Sequence, residues 1–454
     1  MLSGAVPLLV LVFGSAVSAD PGEPLFLTPL IEAGELQQAR EQSRVLGLPG
    51  AGANVTSHSG FITVDKERNS NLFFWFFECQ QASPREAPIL LWLQGGPGAS
   101  SLYGLFIENG PFDADADLNL VPRNLSWTNT HNVLYIDNPT GTGFSFTDDE
   151  AGYARNQEDV ARDLYSALTQ FFTAFEMFQG NDFYVTGESY GGKYVPAITH
   201  KIHMENPTAE LKINLKGMAV GDGFVDPSNQ VDYGEFLYNV GLIDAEQREQ
   251  FHASAMDAVD LINQGDLESA FRLWDSALLG TKYPYPTYFE NCTGFTNHFN
   301  YLQPVDPHDV DASPYNDFLR LPSTRASIHV GELPYNEAGD IVSDYLVGDM
   351  MNTTKPLVAT ILDAGYRVLI YSGQLDVVVA YPLTEQWLAS MEWHGAERYR
   401  DAERVIWREQ GEIAGYVRQV DNLIEAFVRN SGHMVPTDQP EVGYALITKF
   451  TGTN

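Results

Sequence analysis

Three residues whose side chains can act together on an acyl group, Ser189, Asp376 and His433, occur in that order along the chain. A serine hydroxyl becomes a nucleophile when a histidine accepts its proton, and an acidic residue is needed to orient the histidine. Ser189 lies in GESYGG, residues 187–192, between two glycines. These residue types predict covalent catalysis by a serine, provided that the fold brings them together.

The segment around Ser189 permits two interpretations, a simple turn or a nucleophile, and the flanking residues decide between them. Glycine and serine often mark turns. However, residues 182–186 (DFYVT) are typical of a buried strand, and residues 193–203 (KYVPAITHKIH) have the apolar spacing of a helix with Pro196 in its first turn. A strand-to-helix corner holds a serine hydroxyl exposed at a helix N-terminus. The pattern therefore favours a nucleophile.

A nucleophile of this kind needs backbone N–H groups that stabilise the oxyanion, and one loop supplies a candidate. Residues 89–94 (ILLWLQ) predict a buried strand that ends in the glycine-rich loop 95–98 (GGPG). By itself this loop indicates an ordinary turn. In α/β-hydrolases the oxyanion hole combines an N–H from such an early loop with the N–H of the residue after the nucleophile. The expected donors are therefore Gly96 and Tyr190.

The candidate base is one histidine among ten. His433 follows a predicted hairpin with arms 414–420 and 423–429 and a turn at 421–422. The α/β-hydrolase order Ser…Asp…His places its histidine after a late strand in this way.

The candidate acid is Asp376, which follows the predicted strand 367–372 (RVLIYS) at the place where a residue could orient an imidazole. Asp363 is the rival acid. It lies on the predicted helical stretch 355–364, where a solvated position is expected.

The wider pattern predicts an α/β-hydrolase fold with a mixed, mostly parallel central sheet and an inserted, mainly helical lid. Strand-turn-helix units recur between residues 58 and 225, and the following stretch is helical and acidic before it becomes rich in Tyr, Pro and Asn. A chain of 454 residues with 44% hydrophobic residues can bury a large core. The expected parts are a signal peptide (1–19), the first part of the core (20–228), the lid (229–340) and the second part of the core (341–454).

The sequence resembles the serine carboxypeptidases, and most closely their vitellogenic-like branch, over nearly the whole mature chain from about Phe26. Six segments in the same order as in the family support this resemblance. They are SNLFFWFF (70–77), LLWLQGGPGASSLYGLFIENGPF (90–112), VLYIDNPTGTGFSF (133–146), FYVTGESYGGKYVPAI (183–198), YSGQLD (371–376) and GHMVP (432–436).

The resemblance implies removal of single C-terminal residues from peptides through an acyl-enzyme at acidic pH. It implies Ser189, Asp376 and His433 as the triad and the N–H groups of Gly96 and Tyr190 as the oxyanion hole. It also implies a group that binds the terminal carboxylate of the substrate, namely Trp92, Gln94, Glu108 and Glu188. Many relatives have asparagine in place of Gln94 and cysteine in place of Ala99, and the glutamine retains an amide donor with a longer reach.

Two alternative functions are weighed against the peptidase. Acyl transfer to an acceptor other than water would use the same residues, so the sequence does not separate it from hydrolysis. A non-catalytic storage or binding protein of the yolk-granule kind would keep the fold without turnover, but the intact triad, glycines and carboxylate-binding group weigh against it. Labelling of Ser189 by an organophosphonate would distinguish an enzyme from an inert scaffold.

The N-terminal residues indicate entry into the secretory pathway. Residues 1–19 contain an apolar run and end in small residues (Val-Ser-Ala), as signal peptides do. Secretion or an endolysosomal lumen is therefore expected, and four Asn-x-Ser/Thr sequons would be acceptors for glycans there. The sequon asparagines are Asn54, Asn124, Asn291 and Asn352. The sequence does not tell whether the two cysteines, Cys79 and Cys292, form a disulfide.

Charge and motif content restrict the partners. The formal charge of −34 argues against nucleic acids and anionic membranes, which require basic patches. No segment reaches the roughly 18 uninterrupted apolar residues of a membrane span, and no histidine or cysteine spacing suggests a metal. We expect no cofactor and no metal, and we expect peptides with a free C-terminal carboxylate as substrates. The oligomeric state stays open, with a homodimer among the alternatives.

Overall fold

The computed structural model of the protein describes residues 20–50, 55–282, 286–307, 313–336 and 339–453. The expected signal peptide and the sequon at Asn54 lie outside these residues. Across the described ranges, no helix combines the length and the apolar character needed to cross a membrane.

One large sheet organises the described chain. Its ten strands follow the order β1-β2-β6-β3-β7-β8-β9-β12-β11-β10, and β4 and β5 form a separate ribbon. The strands are β1 (Ser57–Asp65), β2 (Ser70–Phe77), β3 (Ile89–Leu93), β4 (Phe112–Ala114), β5 (Leu120–Pro122), β6 (Asn132–Ile136), β7 (Phe183–Glu188), β8 (Leu215–Gly221), β9 (Arg367–Gly373), β10 (Val405–Glu409), β11 (Glu412–Val420) and β12 (Leu423–Val428). The run from β6 to β12 is parallel, whereas β1, β2, β11 and β10 pair antiparallel. This confirms the predicted mixed, mostly parallel sheet.

Helices cover the sheet and connect its parallel strands. The α-helices of the described residues are α1 (Thr28–Glu32), α2 (Leu36–Gln42), α3 (Ser101–Tyr103), α4 (Gln157–Ala174), α5 (Gly191–Glu205), α6 (Pro227–Gln230), α7 (Gly234–Asn239), α8 (Ala245–Gln264), α9 (Leu267–Trp274), α10 (Tyr288–Thr293), α11 (Pro314–Arg320), α12 (Pro322–Ser327), α13 (Asp340–Leu346), α14 (Lys355–Asp363), α15 (Tyr381–Ser390), α16 (Ala396–Asp401), α17 (Val435–Asp438) and α18 (Pro440–Thr451). A π-helical turn, Gly104–Asn109, continues α3.

The central strands are apolar on both faces because each face packs against a different hydrophobic core. In β3, Leu91 and Leu93 belong to the core that includes α4 and α5, whereas Leu90 and Trp92 belong to the core on the opposite face. All five residues of β3 are buried. Near-continuous apolar runs of this kind are typical of parallel strands covered on both sides.

The carboxyl ends of the parallel strands lie along one edge of the sheet, and the predicted site residues follow these ends. Residues 94–96 follow β3, and Ser189 follows β7. Asp376 comes three residues after β9, and His433 lies in the loop between β12 and α17. Ligands of open α/β sheets bind at this edge. The topology therefore brings residues from distant parts of the sequence to one place.

The helix after Ser189 begins earlier than predicted. It starts at Gly191, so Pro196 is its sixth residue and not part of its first turn. A proline at that position cannot donate to the carbonyl of Gly192, four residues earlier. The hydroxyl of Thr354 donates to this carbonyl instead, at 2.9 Å. A partner from another element therefore permits the proline inside the helix.

The stretch between β8 and β9, residues 222–366, contributes no strand to the large sheet in the ranges that the structure describes. It holds α6 to α14, in keeping with an inserted helical region. The lid boundaries 229–340 stay a prediction.

The two cysteines are free thiols. Cys79 is buried and its sulfur donates to the carbonyl of Asn129 at 3.3 Å, whereas Cys292 lies half-buried in α10.

Candidate active site

Ser189 occupies a strained corner between β7 and α5. Its φ angle of +61° is rare for a residue other than glycine. Three backbone hydrogen bonds hold this conformation: Ser189 N–H donates to Gly221 at 3.0 Å, and the Ser189 carbonyl accepts from Gly192 and Phe224 at 2.9 Å each. Strain that the surroundings impose in this way is characteristic of functional sites. The corner has the geometry of a nucleophile elbow.

The glycine-rich loop after β3 packs directly against this corner. A Cβ atom on Gly95 would lie 2.6 Å from the Cβ of Ser189 and 2.6 Å from the N of Tyr190, so only glycine permits the approach. Gly96 has a φ of +104°, a backbone conformation that side chains rarely adopt. The two predicted oxyanion donors, Gly96 and Tyr190, belong to two elements and line the same cavity as Ser189.

A buried aspartate, Asp137, fixes the far end of the glycine-rich loop. Its Oδ1 accepts hydrogen bonds from the Ser100 hydroxyl at 2.6 Å and from the Ser101 N–H at 3.1 Å, and its Oδ2 accepts from the Phe144 N–H at 2.9 Å. Burial raises the pKa of Asp137 to about 6, although these three donors oppose the shift. The sequence analysis did not identify this support.

His433 and Asp376 form a buried pair. Nδ1 of His433 lies 2.8 Å from Oδ2 of Asp376. The aspartate is fully buried and the histidine is 3% exposed. Because an ionised carboxylate only accepts hydrogen bonds, it holds the proton of the neutral imidazole on Nδ1 and leaves Nε2 as the acceptor. Nε2 is buried and has no partner among the described residues.

The rival acid, Asp363, lies elsewhere. It is exposed on α14, and its Oδ1 accepts hydrogen bonds from the backbone N–H of His394 at 2.9 Å and contacts Nδ1 of the same histidine at 2.8 Å. The prediction that Asp363 occupies a solvated face agrees with this position.

Three of the residues predicted to bind a carboxylate form a hydrogen-bonded chain, and two of them, Gln94 and Glu188, line the same cavity as Ser189. Trp92 Nε1 donates to Oε1 of Gln94 at 2.8 Å, and Nε2 of Gln94 donates to Oε1 of Glu188 at 3.3 Å. An indole N–H is a donor only, so it fixes the orientation of the amide and directs its NH₂ group to Glu188. A Cβ on Gly104 would lie 2.1 Å from the indole nitrogen, so this glycine makes room for Trp92.

Glu108 and Glu188 are a buried carboxyl pair. Glu108 is 2% exposed and Glu188 is 1% exposed. Burial raises the pKa of each, and the charge of Glu108 raises the pKa of Glu188 further. Oxygens of both residues have no ordinary donor among the described residues. Two carboxyl groups in contact form a hydrogen bond when one of them keeps a proton.

A cavity of about 290 Å³ opens in front of Ser189 and His433. Of the predicted site residues, Gln94, Gly96, Glu188, Ser189, Tyr190 and His433 line it. Trp92, Glu108 and Asp376 are not among its lining residues. Residues of the inserted region that the sequence analysis did not identify also line the cavity, namely Trp274, Leu279, Thr281, His298, Phe299 and Asp306.

A segment of the inserted region, residues 297–301, holds the loops that carry Asp376 and His433. The carbonyl of His298 accepts from the N–H groups of Val377 and Val378 at 3.2 and 3.0 Å, next to Asp376. The carbonyl of Phe299 accepts from the N–H of His433 at 2.8 Å, and the Phe299 ring lies 5.2 Å from the imidazole ring. The sequence offers no periodicity by which this segment could be recognised.

Asp222, directly after β8, is a further buried acid near the triad. Asp222, Asp376 and His433 are the one grouping of three potential metal ligands in the described ranges, with ligand atoms within 4.8 Å of one another. Since His433 and Asp376 are already bonded to each other, we assign the grouping to acid–base chemistry. A GDG sequence (221–223) at a strand end was the signal that could have revealed Asp222.

The three described sequon residues, Asn124, Asn291 and Asn352, are exposed.

Comparison with known proteins agrees with this geometry. A family model, Serine carboxypeptidase, matches residues 49–453. The chain is 48% identical over 435 residues to the human protein Probable serine carboxypeptidase CPVL, covering 95% of this chain and 90% of the relative. It is 50% identical over 432 residues to Venom serine carboxypeptidase of Apis mellifera (95% and 91% covered), and 44% identical over 453 residues to Vitellogenic carboxypeptidase of Aedes aegypti (99% and 94% covered).

Among solved structures, the prohormone-processing carboxypeptidase Kex1(Δ)p of Saccharomyces cerevisiae has a TM-score of 0.76 at 23% identity, with 91% of this chain and 96% of that chain covered. This likeness supports the α/β-hydrolase fold. The chain belongs to the serine carboxypeptidase family. It is a serine-type carboxypeptidase, and the predicted family, fold class and enzyme class are confirmed.

Proposed function

We propose that Ser189, His433 and Asp376 are the catalytic triad of this carboxypeptidase. Nε2 of His433 takes the proton of Ser189 as Oγ attacks the carbonyl of the last peptide bond, and then gives this proton to the leaving amine. The resulting acyl-enzyme is hydrolysed by a water that His433 deprotonates in turn. Asp376 keeps the imidazole in the tautomer that leaves Nε2 free. The observation on which the proposal chiefly rests is the 2.8 Å Asp376–His433 bond beside a strained serine.

We propose that the N–H groups of Gly96 and Tyr190 stabilise the oxyanion. They belong to different elements, a loop and the N-terminus of α5, and both line the cavity in front of Ser189. Backbone donors held by the fold need no reorganisation when the charge develops on the substrate. Removal of one such donor typically costs about 10²- to 10³-fold in kcat.

We propose that the substrate's terminal carboxylate is bound by Gln94 and by the Glu108–Glu188 pair, with Trp92 orienting the amide. While the pair holds a proton, it can donate to an anionic carboxylate. When this proton is lost, two negative charges repel the substrate. Because the raised pKa values favour the protonated pair, peptides with a free C-terminus should be cleaved best in acid.

We also propose that residues 229–340 form the lid over this site and that the protein is delivered to a secretory or endolysosomal lumen. The cavity-lining residues of the inserted region support the lid. The apolar N-terminal segment and the exposed sequon residues support the lumenal route.

The replacement Ser189→Ala tests the nucleophile. The wild type should remove single C-terminal residues from a peptide mixture at acid pH, as measured by mass spectrometry of the products. The variant should lose about 10⁴- to 10⁶-fold in kcat with its melting temperature kept, because the hydroxyl contributes little to packing. Near-native turnover, or internal cuts by the wild type, would contradict the proposal.

A further inference from the structure

Asp222 is a fully buried carboxyl group that the mechanism above does not use. It joins the ends of β8 and β9, because its N–H donates to the Tyr371 carbonyl at 2.8 Å and its Oδ1 accepts from the Gly373 N–H at 2.8 Å. Its φ of +42° is unusual for a non-glycine residue. The backbone therefore holds the side chain in one place, one strand away from the nucleophile.

The second oxygen of Asp222 has no donor among the described residues, and the Asp222 side chain lies close to Asp376. Oδ2 of Asp222 and Oδ1 of Asp376 are both buried and unpartnered among the described residues. Oδ2 of Asp376 is already bound to His433. A carboxyl oxygen of Asp222 lies within 4.8 Å of one of Asp376, and a hydrogen bond between the two side chains is among the causes that raise the pKa of Asp222. Two carboxylates cannot bond to each other, but a carboxylic acid can donate to a carboxylate.

The surroundings of Asp222 favour its neutral form. Burial raises the pKa of Asp222 well above its usual value, and the charges of Asp376 and Asp438 raise it further. Glu188 lies close enough for Asp222 to raise the pKa of that glutamate, and the pKa of Tyr371 is raised in part by the same aspartate. A group near Asp222 that can become positive is His433, and it is bound to Asp376.

We propose that Asp222 is a positioning residue of the triad, which stays protonated in the working enzyme and donates to Oδ1 of Asp376. This inference rests on the proposed triad. The bond would satisfy the second oxygen of the triad acid and fix the plane of its carboxylate, and hence the orientation of His433. When Asp222 ionises, two carboxylates face each other and this support is lost.

Asp222 and the Glu108–Glu188 pair should affect different sets of substrates. The Glu108–Glu188 pair acts on peptides with a free C-terminus, whereas Asp222 acts on the triad and therefore on every substrate. An amidated peptide or a blocked ester, which lacks the carboxylate, isolates the effect of Asp222. Organophosphonate labelling of Ser189 isolates it further, because this reaction involves no peptide.

Two substitutions test the donor. Asp222→Asn keeps the shape and donates an N–H at every pH. We expect it to keep acid activity within about threefold of the wild type and to move the alkaline fall in ester hydrolysis and in Ser189 labelling upward by about one pH unit or more. Asp222→Ala removes the donor. We expect kcat to fall about 10- to 100-fold with KM nearly unchanged, the value of one charged hydrogen bond.

The matched control is Asp163→Asn, a buried aspartate of α4 whose pKa burial also raises and which lies outside the site. It should leave the pH profile of labelling unchanged. The inference is wrong if the activity of Asp222→Asn falls at the same alkaline pH as that of the wild type. It is also wrong if Ser189 of Asp222→Ala reacts with the organophosphonate as fast as Ser189 of the wild type. If Asp222→Ala does not fold, the profile of Asp222→Asn decides alone. If Ser189 is not labelled in the wild type, the proposed function fails first, and the two failures are thereby distinguished.

Discussion

The Glu108–Glu188 pair and the Asp222–Asp376 pair are built alike but face different partners. Each consists of two buried carboxyl groups in hydrogen-bonding reach, and burial is the largest cause of the raised pKa of Glu108, Glu188 and Asp222. Glu188 lines the cavity, and we propose that the first pair binds the carboxylate of the substrate there. The second pair meets the permanent partner His433.

In the two proposals one physical device, a shared buried proton, serves two tasks. At the cavity the proton would select a substrate, and behind the imidazole it would hold the catalytic machinery in place. The two pairs are also coupled to each other, because the charges of Asp222 and Asp376 raise the pKa of Glu188. Substitutions in either pair therefore test whether the tasks are separate.

The largest effect is expected from Asp376→Asn, which removes the proposed triad acid from the Asp222–Asp376 pair. The amide can hold the imidazole in the wrong tautomer, so kcat should fall about 10⁴-fold for free-acid and amidated peptides alike. Steady-state kinetics on both substrates checks this. The matched control is Asp363→Asn on α14, which should change kcat less than about twofold. If Asp363→Asn greatly lowered kcat and Asp376→Asn left kcat unchanged, Asp363 would be the triad acid.

The next largest effect is expected from Glu188→Gln, and it should concern peptides with a free C-terminus and not their amides. The measurement is the ratio of kcat/KM for a free-acid peptide to kcat/KM for its amide, as a function of pH. In the wild type this ratio should fall as pH rises through the raised pKa of the pair, since the ionised pair repels the carboxylate. Glu188→Gln should lower the ratio in acid about tenfold and flatten its alkaline fall, because glutamine cannot lose a proton.

The control for this measurement is Glu425→Gln, a buried glutamate of β12 that is bound to Arg418 and Tyr399 away from the cavity. It should leave the ratio unchanged at every pH. A wild-type ratio that does not vary with pH would show that Glu188 and Glu108 do not bind the carboxylate, even if the triad stands.

A smaller effect is expected on the pH dependence of stability. A carboxyl group whose pKa is raised in the folded state keeps a proton that the unfolded state has released. Its stabilisation is therefore complete below the unfolded pKa of about 4 and is lost as pH rises through the folded pKa. Each retained proton should make the free energy of unfolding fall by about 1.4 kcal/mol per pH unit across that window.

Urea unfolding of Asp222→Asn and Glu188→Gln over this window measures the slope. Each substitution should remove about 1.4 kcal/mol per pH unit, and because the pairs are coupled, the double variant should depart from the sum of the single ones. Strict additivity would mean that the two pairs titrate independently. An unchanged slope in either variant would mean that its pair holds no proton.

The smallest effect is expected from Tyr371→Phe. The Tyr371 hydroxyl lies near both pairs, and it is buried without a partner in the described part of the chain. Its removal should therefore change the free energy of unfolding by less than about 1 kcal/mol. Tyr135→Phe is the matched control, because the Tyr135 hydroxyl donates to Asn109 at 2.7 Å and its loss should cost about 1 to 3 kcal/mol. Equal costs would show that Tyr371 has a partner after all.

The sequence was sufficient to predict the sheet and the residues that follow its parallel strands. Apolar runs mark β3, β7 and β9, and polar or glycine residues mark their carboxyl ends, so the position of Ser189 and the choice of Asp376 over Asp363 follow from local patterns. The hairpin formed by β11 and β12 was also predicted, since both arms alternate around a short turn.

Other features depend on contacts between distant elements, which local patterns do not reveal. Residues 297–301 have no strand or helix pattern, yet they bind both triad loops. Asp222 lies in an ordinary turn sequence, and its contacts with the end of β9 form only because β8 and β9 are neighbours in the sheet. Pro196 was expected at a helix start because prolines are common there, but it lies inside the helix, where the Thr354 hydroxyl bonds the carbonyl that the proline cannot. The carboxylate-binding residues were predicted from the family resemblance and not from spacing.

The attachment of residues 297–301 to both triad loops has a consequence for the order of folding. The nucleophile corner and the glycine-rich loop join neighbouring strands β3 and β7, which are complete within the first half of the chain. Asp376 and His433 follow the paired strands β9 and β12, and they join Ser189 when the long connection between β8 and β9 has closed, with residues 297–301 bonded to both of their loops. Closure of so long a loop is slow relative to local structure. A folding intermediate that has Ser189 in place therefore lacks a base, and reactivity of Ser189 with an organophosphonate should be the last native property to appear on refolding.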